Sequence, residues 1–313
     1  LLPPGTRLGA VHLAVTNADR ALGLWRDVLG LSVLAPAPGD ADTSTIRLGD
    51  ATGRELIGLT PGASRGVPRG VTGLYHVALH FDSRREFARA IARLAAHGWP
   101  QAPTDHLVTE TTYLSDPDGN GIELTFETPH RGVLFNDNGR YLARTPEGEV
   151  RSGRDPLDVE DVLSELGDGT GTTDRAALFG APLHGLRIGH VHLHVRDLDE
   201  SRAFYQDVIG FYGMMHMTAI GMSDFGVDTA VPHTLAINTW AGRGAPAPPA
   251  GVAGLRRVTL ELPTADSLVD LTSRLSDAGV WFERTSGSLA AGAGIDVLDP
   301  SSNRLHIRPA PQA

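Results

Sequence analysis

Residues 9–15 read Gly9-Ala10-Val11-His12-Leu13-Ala14-Val15, and residues 189–195 read Gly189-His190-Val191-His192-Leu193-His194-Val195. The alternation in both stretches is typical of a strand with one buried face. The likeness continues in register to Gly30 and Gly210, always 180 positions apart. The chain therefore contains an internal duplication, which outranks any local pattern in predicting the fold. The two copies differ at position 10, where an alanine stands in place of His190.

Each copy divides again into two modules of strand, helix and several strands. The segment that begins at Gly73 has a counterpart at Gly254, and the turn after Asp116 has one after Asp299. Helical spacing covers residues 18–29 and about 264–279, and Ser83-x-x-Glu86 is a capping-box pattern that opens another helix. We therefore expect an α+β fold built from four modules, which are module 1 (8–60), module 2 (73–128), module 3 (187–242) and module 4 (254–309).

Two linkers separate these modules. Residues 129–186 are rich in Gly, Asp and Arg and contain one short helical pattern from Leu157 to Leu166, so we expect them to lie on the surface between the two halves. Residues 242–251 are rich in Pro, Ala and Gly and separate modules 3 and 4. A length of 313 residues suits two domains of ordinary size.

The composition limits the kinds of molecule that the protein could bind. The 27 lysine and arginine residues against 37 aspartate and glutamate residues leave a formal charge of -10, which disfavours nucleic acid. No apolar run approaches the roughly 20 residues of a membrane helix, and the first residues lack the pattern of a signal peptide, so the sequence predicts a cytoplasmic protein. Without cysteine, a metal would need histidine or carboxylate ligands, and there are 13 histidines.

Several polar side chains fall where strands could line a cup. Side chains two positions apart share a face, so Ala10 and His12 point one way on their strand, and His76 and His80 do so on theirs. Glu123 lies in mid-strand between large apolar residues, where a buried carboxylate needs a partner and a metal is one such partner. A solvated outer face is the other interpretation of these residues.

A hairpin centred near Asp118 would place Tyr113 opposite Glu123. His106 precedes that hairpin in a loop-like stretch. A loop histidine is usually only solvated, but one above a cup could transfer protons near neutral pH.

Taken together, these motifs resemble the vicinal oxygen chelate superfamily, which includes glyoxalases, bleomycin resistance proteins and extradiol dioxygenases. The block Tyr113-Leu114-Ser115-Asp116-Pro117-Asp118-Gly119-Asn120-Gly121-Ile122-Glu123 carries most of the likeness, with Gly73-Leu74-Tyr75-His76 and Ile188-Gly189-His190. Within the superfamily the chain looks most like the two-domain bacterial catechol 2,3-dioxygenases. The resemblance implies βαβββ modules paired into two glyoxalase-like domains with curved, cup-forming mixed sheets. Residues 1–128 would then hold the candidate active site, and residues 187–313 would be structural.

The resemblance also implies an iron(II) site of two histidines and one carboxylate. Its ligands fall on Ala10, His76 and Glu123, with Mn(II) or no metal as the alternatives. His106 becomes a candidate acid or base, and Tyr113 a candidate hydrogen-bond donor. Ala10 offers no donor atom, so one ligand is missing. His12 is a possible substitute, but two strand residues cover about 6.6 Å, more than a metal–nitrogen bond near 2 Å tolerates.

In the second half, the corresponding positions hold His190, Arg257 and His306. His190 and His306 alone would make a poor divalent site. A second metal site built from His190, His192 and His194, with His216 and His233 nearby in sequence, is an alternative.

The resemblance favours a protein that acts on, or binds, a small catecholic aromatic molecule with dioxygen, as a monomer or a homo-oligomer. A catalytically silent aromatic-ligand-binding protein is the alternative that Ala10 favours. A metal-dependent isomerase or lyase ranks last, because such sites normally use four protein ligands, and Gly58 and Ala10 leave two of those positions empty.

Overall fold

The structure of the protein is a computed structural model, which describes residues 1–35, 44–167, 182–228, 233–285 and 293–311. The strands of modules 1 and 2 are β1 (Arg7–Val15), β2 (Ser32–Val33), β3 (Ile46–Gly49), β4 (Glu55–Pro61), β5 (Gly73–Phe81), β6 (Ala102–Asp105), β7 (Thr109–Ser115) and β8 (Gly121–Glu127). The strands of the linker are β9 (Val133–Asp137), β10 (Arg140–Arg144), β11 (Val150–Arg151) and β12 (Asp155–Pro156). The strands of modules 3 and 4 are β13 (Leu186–His194), β14 (Tyr212–Met217), β15 (Met222–Gly226), β16 (Leu235–Asn238), β17 (Gly254–Leu262), β18 (Phe282–Thr285), β19 (Gly294–Leu298) and β20 (Arg304–Pro309).

A helix follows the first strand of each module, as the repeat predicts. These helices are α1 (Ala18–Leu22), α2 (Arg84–Ala96), α4 (Leu198–Ala203) and α5 (Ala265–Asp277), and a further helix, α3 (Val159–Ser164), lies in the linker. In modules 1 and 3 a π-helical turn extends the helix, over Gly23–Val28 and Phe204–Ile209. Short 3-10 turns occur at Pro129–Arg131 and Thr218–Ile220. None of the helices in the described residues has both the length and the apolar character needed to cross a bilayer.

Local sequence signals account for where the helices begin. The capping box predicted at Ser83 is confirmed, because the Ser83 hydroxyl accepts a hydrogen bond from the backbone N–H of Glu86 at 3.2 Å. Thr264 caps α5 in the same manner, with its hydroxyl 3.1 Å from the Ser267 N–H. Such caps satisfy backbone donors that the first helical turn leaves without partners.

The strands form two large mixed sheets of matching design. One sheet has the order β18-β19-β20-β17-β1-β4-β3-β2, and the other has the order β12-β6-β7-β8-β5-β13-β16-β15-β14. In each, the two central strands pair antiparallel and each has a parallel neighbour from its own module. The expected fold of four modules in two cup-forming mixed sheets is therefore confirmed.

The pairing of the modules differs from the order along the chain. Strand β1 of module 1 pairs with β17 of module 4, and β5 of module 2 pairs with β13 of module 3. The expectation that residues 1–128 and residues 187–313 each form one cup is thus wrong at the level of strand pairing. Equivalent strand edges are interchangeable in a repeated sequence, so the repeat identifies the modules without deciding which ones meet.

The apolar faces of both sheets and their helices contribute to one continuous buried core. Trp25 and Phe87 bring helical side chains into it, and both are fully buried. Leu13 on β1 and Leu193 on β13 are equivalent in the repeat and are also fully buried. Burial of such side chains stabilises the fold by roughly 1.5–3 kcal/mol each before entropy is counted.

The linker between the halves is more ordered than its composition suggests. The predicted helix is confirmed as α3, but β9, β10 and β11 also form a three-stranded sheet that the sequence analysis did not predict. Strand β12 adds to the edge of the nine-stranded sheet by pairing with β6. Residues 168–181 of the linker lie outside the described residues.

Candidate metal centre

Three buried side chains converge on one point of the nine-stranded sheet. The Nε2 atom of His76 lies 2.9 Å from Oε2 of Glu123, and the Nε2 atom of His190 lies 3.1 Å from the same oxygen. The two Nε2 atoms are 3.1 Å apart. All three residues are at most 6% exposed. Among the described residues, this is the group whose donor atoms lie close enough together to hold one metal ion.

The triangle of donor atoms fits one face of an octahedron. Perpendicular bonds of about 2.1 Å to a common centre separate neighbouring donor atoms by about 3.0 Å, whereas tetrahedral angles would separate them by about 3.4 Å. The observed edges of 2.9 to 3.1 Å match the octahedral spacing. Two histidines and one carboxylate on one face, with the opposite face open, are the arrangement typical of non-haem iron(II) oxygenases.

The register of three adjacent strands creates the space at the centre of this triangle. His190 on β13, Ala78 on β5 and Glu123 on β8 stand side by side in one row across the sheet. His76 enters from the same face of β5, two positions before Ala78. The methyl group of Ala78 leaves room between the two outer side chains, so their donor atoms can approach a shared point.

The ionisation of the triad suits a cation. Burial alone would raise the pKa of Glu123, but the neighbouring His190 and His76 outweigh it and hold that pKa well below its usual range. Burial lowers the pKa of His190 well below its usual value despite the charge of Glu123. An ionised carboxylate beside a neutral imidazole is the state in which these groups bind metals. The hydroxyls of Thr111 and Thr125 orient Glu123 by donating to Oε1 at 3.2 and 3.1 Å.

The prediction that Ala10 occupies the missing ligand position is wrong. Ala10 lies on β1 in the eight-stranded sheet, whereas His76 and Glu123 lie in the nine-stranded sheet. Because module 2 pairs with module 3, the first-strand position in this cup belongs to His190. The sequence analysis assigned that histidine to a structural domain.

The equivalent positions of the eight-stranded sheet do not form a metal-binding group among the residues that the structure describes. His12 is 3.3 Å from Glu55, which also binds Arg47, so His12 is not a substitute ligand for the triad. The His12 ring lies against Gly58, where an added Cβ would come within 2.5 Å of Nδ1. His306 pairs with Asp296 at 2.7 Å and is in a different sheet from His190, so these two histidines do not share a site.

His106 and Tyr113 meet beside the triad. The register pairs Tyr113 with Glu123 across the β7–β8 hairpin, as predicted. The His106 Nδ1–H donates to the carbonyl of Gly153, which leaves Nε2 to accept the Tyr113 hydroxyl proton at 2.9 Å. Burial, and then the charge of Glu123, raise the pKa of Tyr113, so the phenol stays protonated and serves as a donor.

A second polar pair, His233 with Asp224, lies beside His190. The sequence named His233 only as a neighbour of a possible second metal site and did not predict its pairing with Asp224. The His233 ring packs against His190 with centroids 4.4 Å apart, and its Nδ1 lies 3.2 Å from the Asp224 carboxylate. Desolvation lowers the pKa of His233, but the hydrogen bond and charge of Asp224 outweigh it and raise that pKa. His233 also has a positive φ of 58°, which is uncommon for a residue other than glycine. The signal in the sequence was only a histidine between short strands.

Other histidines of module 3 serve different partners. The side-chain amide of Asn238 donates to Nε2 of His192 at 2.8 Å, and its oxygen lies 2.7 Å from Nδ1 of His194. His216 lies 2.6 Å from the Ser223 hydroxyl. These contacts do not extend the metal-binding group beyond His190, contrary to the alternative of a second site on this strand.

Aromatic side chains border the triad. Tyr75 packs edge-on against His192 and Trp240, with centroids 4.9 and 5.2 Å apart. A cleft of about 1150 Å³ runs past Tyr75, His76 and Tyr113. Clefts of this kind with a few convergent polar groups are the usual form of small-molecule sites.

The linker sheet covers the cup from one module to the other. The Gly153 carbonyl holds His106 of module 2, and a Cβ at Gly139 would lie 2.9 Å from the Cβ of Ala219 in module 3. Tyr141 of β10 is near enough to Asp224 and Glu123 that, after burial, their charges raise its pKa. The segment expected to be a surface linker therefore also forms part of the wall of the site.

Comparisons with known proteins agree with this geometry. A family model described as the Glyoxalase/Bleomycin resistance protein/Dioxygenase superfamily matches residues 7–124 and 187–307. The chain is 34% identical over 289 residues to a catechol-2,3-dioxygenase of Bacillus subtilis (strain 168), covering 90% of this chain and 92% of that protein. A shorter match, 33% identical over 76 residues, joins it to a biphenyl-2,3-diol 1,2-dioxygenase of Rhodococcus globerulus, with 23% and 40% covered.

Solved structures share the fold at low sequence identity. A Bacillus subtilis protein superposes with a TM-score of 0.61 at 12% identity, covering 98% of this chain and 86% of that one. Glyoxalase I from Zea mays superposes with a TM-score of 0.54 at 14% identity, covering 97% and 92%. At such identities these structures support the architecture alone.

Proposed function

Because this chain belongs to the glyoxalase/bleomycin resistance protein/dioxygenase superfamily, we propose that it is an extradiol dioxygenase that opens a catecholic ring with dioxygen. The observation that carries the proposal is the triangle formed by His76, Glu123 and His190, whose edges of 2.9 to 3.1 Å suit a facial site. The catechol-2,3-dioxygenase of Bacillus subtilis, which matches nearly the whole chain, supports the same activity.

Iron(II) is the metal that this donor set favours, with Mn(II) as the alternative. When bound by His76, Glu123 and His190, it would supply open positions for the two oxygens of a catechol and for dioxygen, and would pass to dioxygen the electrons that the catechol gives up. The protein contributes a buried, preorganised site in which the carboxylate of Glu123 is ionised and the imidazole of His190 is neutral.

The residues around the triad would bind the ring and move its protons. Tyr75 and Trp240 offer faces and edges against which an aromatic ring can pack. The Tyr113 hydroxyl and Nε2 of His106 form a pair that can take up the proton of a catechol hydroxyl as it binds.

His233 stands on the other side of the triad against His190. With Nδ1–H donated to Asp224, its Nε2 is left to accept a proton from the substrate and return it to the product. Asp224 acts through His233 by fixing its tautomer.

The competing functions lose their main support. The silent binding protein was favoured by an absent ligand at Ala10, and that position is not part of this cup. The isomerase or lyase would use a fourth protein ligand, and the triad in the described part of the chain has three members. We therefore retain ring cleavage as the proposed function.

The test is anaerobic loading of the protein with iron(II), followed by metal analysis and an assay with catechol. We expect about one iron per chain, one dioxygen consumed per catechol, and a product that carries one aldehyde and one carboxylate, since both oxygen atoms enter the ring-opened chain. Loss of dioxygen uptake in His190→Ala, with full dioxygen uptake in Ala10→His, would support the assigned triad. No dioxygen uptake by the iron-loaded protein, or a dicarboxylic product from cleavage between the hydroxyls, would overturn the proposal.

A further inference from the structure

A hydrogen-bonded network of polar side chains lies behind His190, on the side away from the triad. Nδ1 of His190 is 3.1 Å from Nε2 of His80, and Nδ1 of His80 is 2.8 Å from Oε1 of Glu127. Arg187 completes it with an Nη2 atom 3.0 Å from the same Glu127 oxygen. His80 is 6% exposed, whereas the Glu127 side chain is 49% exposed. This hydrogen-bonded network thus runs from the buried centre to the surface.

Only one arrangement of protons satisfies every hydrogen bond of this network when His190 turns its Nε2 lone pair toward the triad. The proton of His190 must then be on Nδ1, where it donates to Nε2 of His80. That contact places the proton of His80 on Nδ1, where it donates to Glu127. The carboxylate accepts it readily, because the hydrogen bond from His80, with help from Arg187, lowers the pKa of Glu127 to about 2.

A competing arrangement is weaker by distance. Arg187 Nη2 lies 3.5 Å from Nδ1 of His80, and that nitrogen would have to accept a proton from the guanidinium in the other tautomer. The carboxylate of Glu127 is nearer to Nδ1 of His80, at 2.8 Å, and its negative charge attracts the proton of an N–H donor. Hydrogen bonds weaken steeply toward 3.5 Å, so the tautomer that donates to Glu127 prevails.

The backbone of β13 is shaped to admit His80. A Cβ built on Gly189 would lie 2.0 to 2.3 Å from three atoms of the His80 ring, closer than any side chain tolerates. The φ of Gly189 is not in the left-handed region, so glycine is needed at this position for space and not for conformation. The residue just before the ligand therefore gives His80 its place.

The other sheet of the same chain provides an internal comparison. In the eight-stranded sheet, Ala10 takes the place of His190, and Glu261 takes the place of His80. Glu261 accepts hydrogen bonds from Arg7 and Arg308 at 2.9 Å, so its partners are arginines in place of a histidine. A supporting histidine is thus present in the cup that has the ligand histidine and is replaced in the cup that lacks it.

We propose that His80 is a positioning residue that holds His190 in the tautomer and ring orientation needed for metal binding, with Glu127 anchoring His80 and Gly189 admitting it. This inference rests on the proposed function, since it assumes that His190 is a ligand. A histidine that donates its second N–H to a fixed acceptor is a better oriented and more basic ligand, and loss of such a partner typically costs about 10- to 100-fold in metal affinity.

The experiment compares His80→Leu, which removes the acceptor, with His80→Gln, whose side-chain oxygen can still accept from His190. Iron(II) or Mn(II) affinity is measured by competition with a chelator. We expect about 10- to 100-fold weaker binding in His80→Leu and recovery of most of that loss in His80→Gln.

Gly189→Ala is the second variant, because its methyl group displaces the His80 ring while His80 itself remains. It should reproduce the affinity loss of His80→Leu. His12→Leu, in the equivalent face of the other sheet, serves as the control for a buried histidine lost elsewhere and should bind metal as wild type does. Thermal unfolding confirms that each variant is folded before its affinity is compared.

The outcomes separate this inference from the proposed function. Wild-type affinity in His80→Leu would overturn the positioning role while leaving the metal site intact. Equal losses in His80→Leu and His80→Gln would also overturn it, because shape alone would then explain them. If wild type binds no metal, the proposed function fails, and the positioning role fails with it because His190 is then not a ligand.

Discussion

Nε2 of His76 and Nε2 of His190 lie 3.1 Å apart although 114 residues separate them in the chain. The contact exists because β5 of module 2 pairs with β13 of module 3, so that each module supplies part of one cup. Glu123 from β8 closes the triangle. The candidate metal centre therefore belongs to neither half of the sequence alone.

The first prediction is that modules 2 and 3 both supply ligands to the metal. His76→Ala and His190→Ala should each weaken iron(II) binding by more than about 100-fold, since loss of a ligand costs more than loss of a supporting partner. Chelator competition measures both. Ala10→His is the control and should leave affinity unchanged. Tighter binding in Ala10→His would mean that the site belongs to module 1 after all.

The second prediction separates proton handling from metal binding at His233. Asp224→Asn keeps an oxygen for the backbone N–H of Met215, which donates to Asp224 at 2.6 Å, but removes the charge that orients His233. We expect kcat to fall roughly 100-fold or more with metal content unchanged. His233→Gln should behave alike. A change confined to KM would contradict this role and indicate a part in substrate binding only.

The third prediction treats Tyr113 and His106 as one unit. Their side chains share a hydrogen bond of 2.9 Å, so removing either should break the same path. Tyr113→Phe and His106→Gln should each lower kcat about 100-fold, and the double variant should be little worse than either. Tyr212→Phe, at a partly exposed tyrosine, is the control. Fully multiplicative losses in dioxygen uptake would show that the two residues act independently.

The fourth prediction concerns stability and pH in the other sheet. The close approach of His12 at 3.3 Å and the hydrogen bonds from Arg47 outweigh burial and lower the pKa of Glu55 to about 2 from 4.5. A carboxyl whose folded pKa is depressed stabilises the fold above its unfolded pKa, and this contribution disappears as pH falls toward the folded value. Glu55 therefore contributes about 3 kcal/mol at pH 7, and progressively less between pH 4.5 and 2.

Glu55→Gln tests this by urea unfolding at pH 7 and at about pH 3. The difference in unfolding free energy from wild type should be largest at pH 7 and shrink in acid. Glu200→Gln provides a matched control, because Glu200 pairs with Arg196 at a site where both side chains are about half exposed. It should change stability by no more than about 1 kcal/mol. A Glu55 effect that does not vary with pH would exclude the ion pair as its cause.

Prediction from the sequence succeeded where the information is local. The cap at Ser83 and the pairing of Tyr113 with Glu123 both depend on residues within about ten positions of one another. His76 and Glu123 also came from one module, and they lie 2.9 Å apart at their donor atoms. The three-stranded linker sheet was missed because its polar strands lack the apolar alternation that predicts a half-buried strand.

The sequence by itself determined the repeated module, two members of the triad and the absence of any thiolate ligand. Only the tertiary structure decided which modules meet, and with that choice it replaced Ala10 by His190 as the third member. The physical reason is that strand pairing is a long-range contact between edges that the repeat makes nearly equivalent. Helix caps and hairpins are encoded by neighbouring residues, but the partner of an edge strand depends on how the whole chain packs its core.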